Sequence, residues 1–131
     1  MLRKILSLVT LAVVLISAAA CSPVKQVNLT AADKGKQVEV KAGGQIVITL
    51  DGNPSTGYTW EAKDLDTTMF QQVGDTAFSS SNPGLVGSGG TLTLTFKTLK
   101  AGTATLTLVY HRPWETGVEP FDTFAVTVTV K

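Results

Sequence analysis

The 131-residue chain has few of the side chains that build covalent or catalytic centres. It contains one cysteine, Cys21, and one histidine, His111. A single cysteine excludes a disulfide within the chain and a cysteine-rich zinc site. One histidine and scattered carboxylates form no recognisable pair of nucleophile and base. We therefore expect no enzymatic activity, no metal and no cofactor.

The chain also lacks an excess of charge of either sign. Eleven lysines and arginines stand against ten aspartates and glutamates, for a net charge of +1. Nucleic-acid binding usually requires a clustered basic face, so we expect no nucleic-acid partner. Hydrophobic residues make up 44% of the chain and charged residues 16%. This composition excludes a disordered chain, and the length suits one folded domain.

The first twenty residues differ from the rest. Arg3 and Lys4 precede residues 5–20, which carry no charge and are too few for a membrane-spanning helix. Three alanines then stand before Cys21. A basic start, an apolar segment and small residues predict a signal peptide over residues 1–20. One interpretation of this segment is a secreted protein in which Cys21 keeps a free thiol; a lipid-anchored protein is the other.

Cys21, placed directly after the small residues, makes this segment resemble a bacterial lipoprotein signal. Ala18 stands where such signals usually have leucine, and Ser22 suits sorting to the outer membrane. The resemblance implies an exported chain that begins at Cys21, anchored to the bacterial cell envelope through acylated Cys21, in the outer membrane or periplasm. Residues 21–131 then form one folded domain, with nine basic and ten acidic side chains.

Residues 21–131 show strand patterns and no helical period. Apolar residues alternate with threonines and other polar residues at period two, as in half-buried strands. The predicted strands are Gln26–Thr30, Gln37–Lys41, Gln45–Asp51, Tyr58–Lys63, Met69–Val73, Thr91–Thr98, Ala104–His111 and Phe124–Val130. Seven to eight short strands in about 100 residues predict an all-β fold, an immunoglobulin-like antiparallel β-sandwich.

Three connections between the predicted strands differ from ordinary turns. Residues 51–58 contain Pro54, which restricts the backbone, and Gly57, which permits unusual angles. The hydroxyls of Ser55 and Thr56 can bond back to neighbouring backbone groups. Residues 74–90 are polar and rich in serine and glycine, and a stretch of this length without a strand indicates a binding loop or disorder. Residues 111–121 carry a tryptophan and an arginine beside a proline.

The order of the strands places these three connections together. In a sandwich of this type successive connections alternate between the two ends. The connections 51–58, 74–90 and 111–121 are every second one, so we expect all three at the same end. A rigid scaffold that presents several loops at one end is typical of a binding protein.

Each feature also has a simpler interpretation. The first connection is compatible with a tight turn, and residues 87–90 with a flexible linker. A phosphate-binding loop is excluded there, because a strand rather than a helix follows. Trp114 is compatible with a core position or with covering a sheet edge, although loop tryptophans are enriched at binding hot spots. His111 is interpreted as a strand-end residue, and Asp64 and Asp66 as a solvated pair.

The three connections carry motifs that, in this order and spacing, resemble the three signature loops of the chagasin family of cysteine-protease inhibitors. Ser55 stands where the family commonly has threonine, which keeps the hydroxyl and loses a methyl group. The resemblance covers essentially all of residues 21–131, although residues 74–86 do not carry it. The motifs are Asn53-Pro54-Ser55-Thr56-Gly57-Tyr58-Thr59-Trp60, Gly87-Ser88-Gly89-Gly90-Thr91 and Arg112-Pro113-Trp114.

The resemblance implies an inhibitor that occupies the active-site cleft of papain-like cysteine proteases. Residues 53–58 would form the central loop, with Thr56 near the catalytic cysteine and histidine. Residues 87–90 would follow one side of the cleft through main-chain hydrogen bonds. The third loop would take the other side, with Trp114 packed on aromatic residues of the protease. The implied protease-binding residues are Asn53, Pro54, Ser55, Thr56, Gly57, Tyr58, Gly87, Ser88, Gly89, Gly90, Arg112, Pro113 and Trp114.

A second class of function stays open at this point. The same scaffold would suit a cell-surface adhesion or carbohydrate-binding module, with Trp60 or Trp114 as a stacking platform. A purely structural envelope lipoprotein, which would inhibit no papain-like enzyme, is a further alternative. The ordered set of three motifs favours the inhibitor. We expect a monomer whose partners are papain-like proteases and, through Cys21, a membrane.

Overall fold

A computed structural model describes residues 25–131, which form nine strands and two short 3-10 turns. The predictions for the signal peptide and for Cys21 lie outside these residues. Within residues 25–131, no helix is long and apolar enough to span a membrane. The strands are β1 (Gln26–Leu29), β2 (Gln37–Val40), β3 (Gln45–Gly52), β4 (Thr59–Lys63), β5 (Phe70–Gln72), β6 (Ala77–Ser80), β7 (Gly90–Thr98), β8 (Gly102–His111) and β9 (Asp122–Val130).

The strands form two sheets that pack face to face. One sheet has the order β1-β3-β7-β5, with β6 also paired to β7, and the other has the order β2-β9-β8-β4. The predicted all-β, immunoglobulin-like sandwich is therefore confirmed. Two edge pairs, β1 with β3 and β2 with β9, run parallel, whereas the remaining pairs are antiparallel.

The core consists of the apolar positions that alternate along the long strands. On β3, Ile46, Ile48 and Leu50 are buried, and β7 and β9 contribute their alternating residues to the same interior. Burial of one such side chain stabilises the fold by about 1.5–3 kcal/mol. The long strands therefore form a rigid scaffold whose ends hold the loops.

The prediction that residues 74–90 contain no strand is wrong. Ala77–Ser80 forms β6 and pairs antiparallel with the start of β7, from Ala77 opposite Thr93 to Ser80 opposite Gly90. The sequence showed no alternation here because the strand lies at the sheet edge and its side chains are mostly exposed. The free part of the connection is consequently a hairpin tip, residues 81–89.

The register of the strands places the three unusual connections at one end of the sandwich. Gly52 lies opposite Gly90, and Thr59 lies opposite His111. The connections after β3, β6 and β8 therefore leave the sheets at the same end, as predicted. We call this end the loop end, and the opposite end, which holds the turns 41–44 and 99–101, the base.

Candidate functional site

The first loop is a 3-10 turn, Pro54–Thr56, closed by its own polar groups. The Asn53 side-chain oxygen accepts hydrogen bonds from the Ser55 amide at 3.1 Å and the Ser55 hydroxyl at 2.6 Å. The Thr56 hydroxyl donates to the Asn53 carbonyl at 2.6 Å. Pro54 occupies the first turn position, where its fixed φ suits the turn. The loop is therefore stiff. The Thr56 hydroxyl bonds to a neighbouring backbone carbonyl as predicted, whereas the Ser55 hydroxyl bonds to the side chain of Asn53.

Gly57 ends this turn for two separate reasons. Its φ is +85°, in the left-handed region that favours glycine. A β-carbon at this position would also overlap the indole ring of Trp114. Trp114 itself is 68% exposed, so one part of its ring covers the first loop while much of it faces solvent. Core packing, one of the two simpler interpretations of this tryptophan, is thereby excluded.

The second loop is hydrogen-bonded to the first. The Asn53 side-chain amide donates to the Gly87 carbonyl at 3.0 Å, and the Ser55 hydroxyl lies 3.4 Å from the same oxygen. Within the hairpin tip, the Ser81 hydroxyl donates to the Gly89 carbonyl at 2.7 Å. These hydrogen bonds fix the conformation of residues 87–90, so the segment is not a flexible linker.

Gly90 has a structural role inside the hairpin. An added β-carbon there would overlap the Ser79 carbonyl on β6. The glycine therefore permits the close pairing of β6 with β7, a reason that the motif alone did not indicate. Gly87 differs, since its φ of +79° lies in the left-handed region, and an added β-carbon would make only an ordinary contact of 3.8 Å with the Ser55 hydroxyl.

The third loop is joined to the first through Arg112. Its Nε donates to the Thr56 carbonyl at 3.0 Å, and its guanidinium carbon lies 4.6 Å from the centre of the Tyr58 ring. A further contact of 3.4 Å links it to Glu115 in its own loop. The Glu115 amide donates to the Arg112 carbonyl at 3.1 Å, which closes the turn that presents Trp114. Arg112 therefore connects the two loops.

An aromatic cluster packs between the loops and the sandwich. Two of its members, Tyr110 and Phe121, were not among the predicted site residues. Tyr110 lies 5.2 Å from Tyr58 and 5.1 Å from Trp60, measured between ring centres, and Phe121 packs edge-on to both tyrosines. The Tyr110 hydroxyl accepts a hydrogen bond from the backbone amide of Asn53 at 2.9 Å. The aromatic residues that flank the motifs could have indicated this cluster.

The two tryptophans have different surroundings. Trp60 is only 4% exposed, and its indole N–H donates to the Asp51 carbonyl at 3.0 Å. It cannot stack on a sugar, so this part of the carbohydrate-binding alternative is wrong. Of the two, only Trp114 presents a ring to solvent.

The remaining polar candidates lie apart from any catalytic arrangement. His111 ends β8, as predicted, and its Nε2 lies 2.8 Å from a Glu61 carboxylate oxygen. Asp66 is exposed, and hydrogen bonds from the Thr68 hydroxyl and amide lower its pKa. Among residues 25–131, no three histidine, cysteine, aspartate or glutamate side chains cluster as metal ligands.

The loop end is therefore a single preformed surface of three loops, bonded to one another and carried by a rigid β-sandwich. This construction defines a binding protein of immunoglobulin-like fold. A sequence model of the chagasin family of peptidase inhibitors matches residues 39–128. The chain belongs to this family, which consists of protease inhibitors rather than enzymes.

Known relatives are consistent with this assignment. The chain is 35% identical to amoebiasin-2 of Entamoeba histolytica over 104 residues, which cover 79% of this chain and 84% of the relative. It is 31% identical to chagasin of Trypanosoma cruzi over 91 residues, covering 66% and 82%. The crystal structure of the cysteine protease inhibitor EhICP2 from Entamoeba histolytica superposes with a TM-score of 0.71 at 31% identity, covering 81% of this chain and 96% of that one.

Proposed function

We propose that this chain inhibits papain-like cysteine proteases by filling their active-site cleft with the three-loop surface. Membership of an inhibitor family supports the activity. The observation that carries the mode of action is the bonding among the loops, in which Asn53 reaches Gly87 and Arg112 reaches Thr56. Loops fixed before binding lose little conformational entropy on docking.

The first loop can block a protease without being cut. Proteolysis requires an extended segment whose scissile carbonyl enters the oxyanion hole in line with the nucleophile. Here the carbonyls of Asn53, Pro54 and Thr56 all accept hydrogen bonds from within the inhibitor. The 3-10 turn also keeps the backbone curved. The nucleophilic sulfur would therefore meet a closed turn rather than an aligned peptide bond.

The other two loops occupy the sides of the cleft. The second loop offers backbone groups along residues 87–89 for strand-like pairing with the protease. The third loop offers the exposed ring of Trp114, and a partly packed loop tryptophan is the kind of side chain that dominates binding energy. Together with the central loop they suit an interface of roughly 1,600 Å², the usual size for protease–inhibitor pairs.

Titration of papain with the purified chain tests this function. We expect stoichiometric loss of papain activity and recovery of an uncleaved inhibitor after prolonged incubation. Trypsin, a serine protease, serves as the control and should keep its activity. Full activity of papain and of a panel of cathepsin-like enzymes at excess inhibitor would reject the proposal.

We further propose that the chain is exported and anchored to the bacterial envelope through acylated Cys21. The basic and apolar residues before Cys21 support this, together with the small residues at the boundary. Lys25, the first described residue, lies at the base, so an anchor there leaves the loop end free. Mass spectrometry of the N-terminal peptide should find acyl chains on Cys21, and a Cys21→Ser variant should lose them.

A further inference from the structure

The base of the sandwich carries most of the positive charge of the described chain. Five of the eight lysines in residues 25–131 lie there, and all five side chains are exposed. They come from the position before β1, the two turns, the end of β7 and the position after β9, so residues that are distant in sequence lie at one end of the fold. These five residues, which we call the base lysines, are Lys25, Lys41, Lys97, Lys100 and Lys131.

Backbone hydrogen bonds hold these positions together. The Lys25 carbonyl accepts from the Gln45 amide at 2.8 Å, and Lys97 lies opposite Gln45 in the β3–β7 register. The Lys131 carbonyl accepts from the Ala42 amide at 2.8 Å. Lys25, Lys97 and Lys131 are therefore held to the ends of the strands by backbone pairing.

Few acidic groups offset this charge. Glu39 lies 3.0 Å from Lys131, and Asp66 lies near Lys100. Residues 25–131 contain nine basic and ten acidic side chains, so five basic and two acidic at the base leave four basic and eight acidic elsewhere. Within residues 25–131, the net charge is thus positive at the base and negative elsewhere. Leu99, 42% exposed, adds an apolar side chain in the base turn 99–101.

We propose that the base is a docking surface for an anionic lipid bilayer. The orientation rests on the proposed anchor, because Cys21 stands four residues before Lys25 and four residues of chain reach at most about 14 Å. An anchor so close to the base lysines brings them to the headgroups. Each lysine near an anionic surface then favours contact by about fivefold.

This orientation leaves the three-loop surface accessible to a protease. β3 runs from the base to the loop end over eight residues, or about 25 Å at 3.3 Å per residue. With the base on the bilayer, the three-loop surface points away from the membrane. A protease in the surrounding space then reaches it without obstruction.

Lysine labelling of the full chain, produced in its exporting host and reconstituted in vesicles, tests the proposal. Vesicles of phosphatidylcholine with 30 mol% phosphatidylglycerol are compared with phosphatidylcholine alone, using an amine-acetylating reagent and mass spectrometry. We expect the anionic vesicles to slow labelling of the base lysines by about fivefold. High salt should remove this protection, since it shortens the screening length to a few ångströms. Lys34, Lys36 and Lys63 serve as internal controls and should label equally in both vesicles.

Two matched triple variants test whether the protection depends on the charge of the base lysines. Replacement of Lys41, Lys97 and Lys100 by glutamine should abolish the protection of Lys25 and Lys131, whereas replacement of Lys34, Lys36 and Lys63 should leave it intact. Equal labelling of the base lysines in both vesicles overturns the proposal, as does protection by duplex DNA without protection by lipid. Acylation of Cys21 is read from the same spectra, and papain inhibition is measured separately, so failure of the anchor or of the inhibitor function is recognised independently.

Discussion

The indole of Trp114 lies directly against Gly57, at a distance that leaves no room for a β-carbon on the glycine. The first loop and the third loop are therefore fitted to each other before any protease is present. Gly57, at the end of the turn in the first loop, permits the left-handed backbone and also leaves the space into which the Trp114 ring packs. The two consequences of a substitution can be separated experimentally.

Gly57→Ala should weaken papain inhibition by at least about tenfold, because the added methyl group displaces Trp114. The left-handed conformation also costs an L-residue about 1–2 kcal/mol of stability. Gly43→Ala is the matched control, since Gly43 has a φ of +79° at the base with no atom within 4 Å of an added β-carbon. Inhibition constants and urea denaturation are measured for both. Equal inhibition constants for the two variants would contradict a seating role for Gly57.

Trp114→Ala should raise the inhibition constant toward papain by about 2–4 kcal/mol of binding free energy. Its stability should change little, because the side chain is mostly exposed. Leu99→Ala removes an exposed apolar side chain at the base and should leave inhibition unchanged. Thermal unfolding confirms that both variants are folded. An unaltered constant for a folded Trp114→Ala variant would remove Trp114 from the interface.

The sequence predicted the scaffold better than the contacts between the loops. Period-two alternation identified β2, β3, β7, β8 and β9, because one face of each of these strands is buried. It missed β6, whose side chains lie at an exposed edge and carry no alternation. The placement of three loops at one end followed from strand order. The bonds from Asn53 to Gly87 and from Arg112 to Thr56 join residues distant in sequence, so no local pattern predicts them.

Thr56→Val should weaken the first loop, because the Thr56 hydroxyl donates to the Asn53 carbonyl within the turn. Loss of this hydrogen bond costs roughly 0.5–1.5 kcal/mol. Thr56→Ser keeps the hydroxyl and should behave as the native chain. Inhibition constants and stability are measured together, because an effect on inhibition alone would place the hydroxyl in contact with the protease. No change in either quantity would contradict both roles.

Acid should destabilise the chain through Asp66. The Thr68 hydroxyl and amide donate to its carboxylate and hold its folded-state pKa below the ordinary value of 3.8. A lowered folded pKa favours folding above the unfolded value, and this contribution is lost as pH falls through the folded value. Stability should therefore be maintained at pH 5 and decline below about pH 4. Melting temperatures across this range should fall less steeply for Asp66→Asn, and an identical pH dependence would contradict the assignment.

Arg112→Lys distinguishes a positioning role from a charge interaction with the protease. Lysine keeps the charge but lacks the Nε donor to the Thr56 carbonyl and the planar group that lies over Tyr58. One hydrogen bond and one cation–π contact together contribute roughly 1–2.5 kcal/mol. If Arg112 acts by joining the first and third loops, Arg112→Lys and Arg112→Gln should weaken inhibition to a similar extent. Both should also increase hydrogen exchange at the Gly57 amide. Full inhibition by the lysine variant with loss only in the glutamine variant would show instead that the guanidinium acts through its charge on the protease.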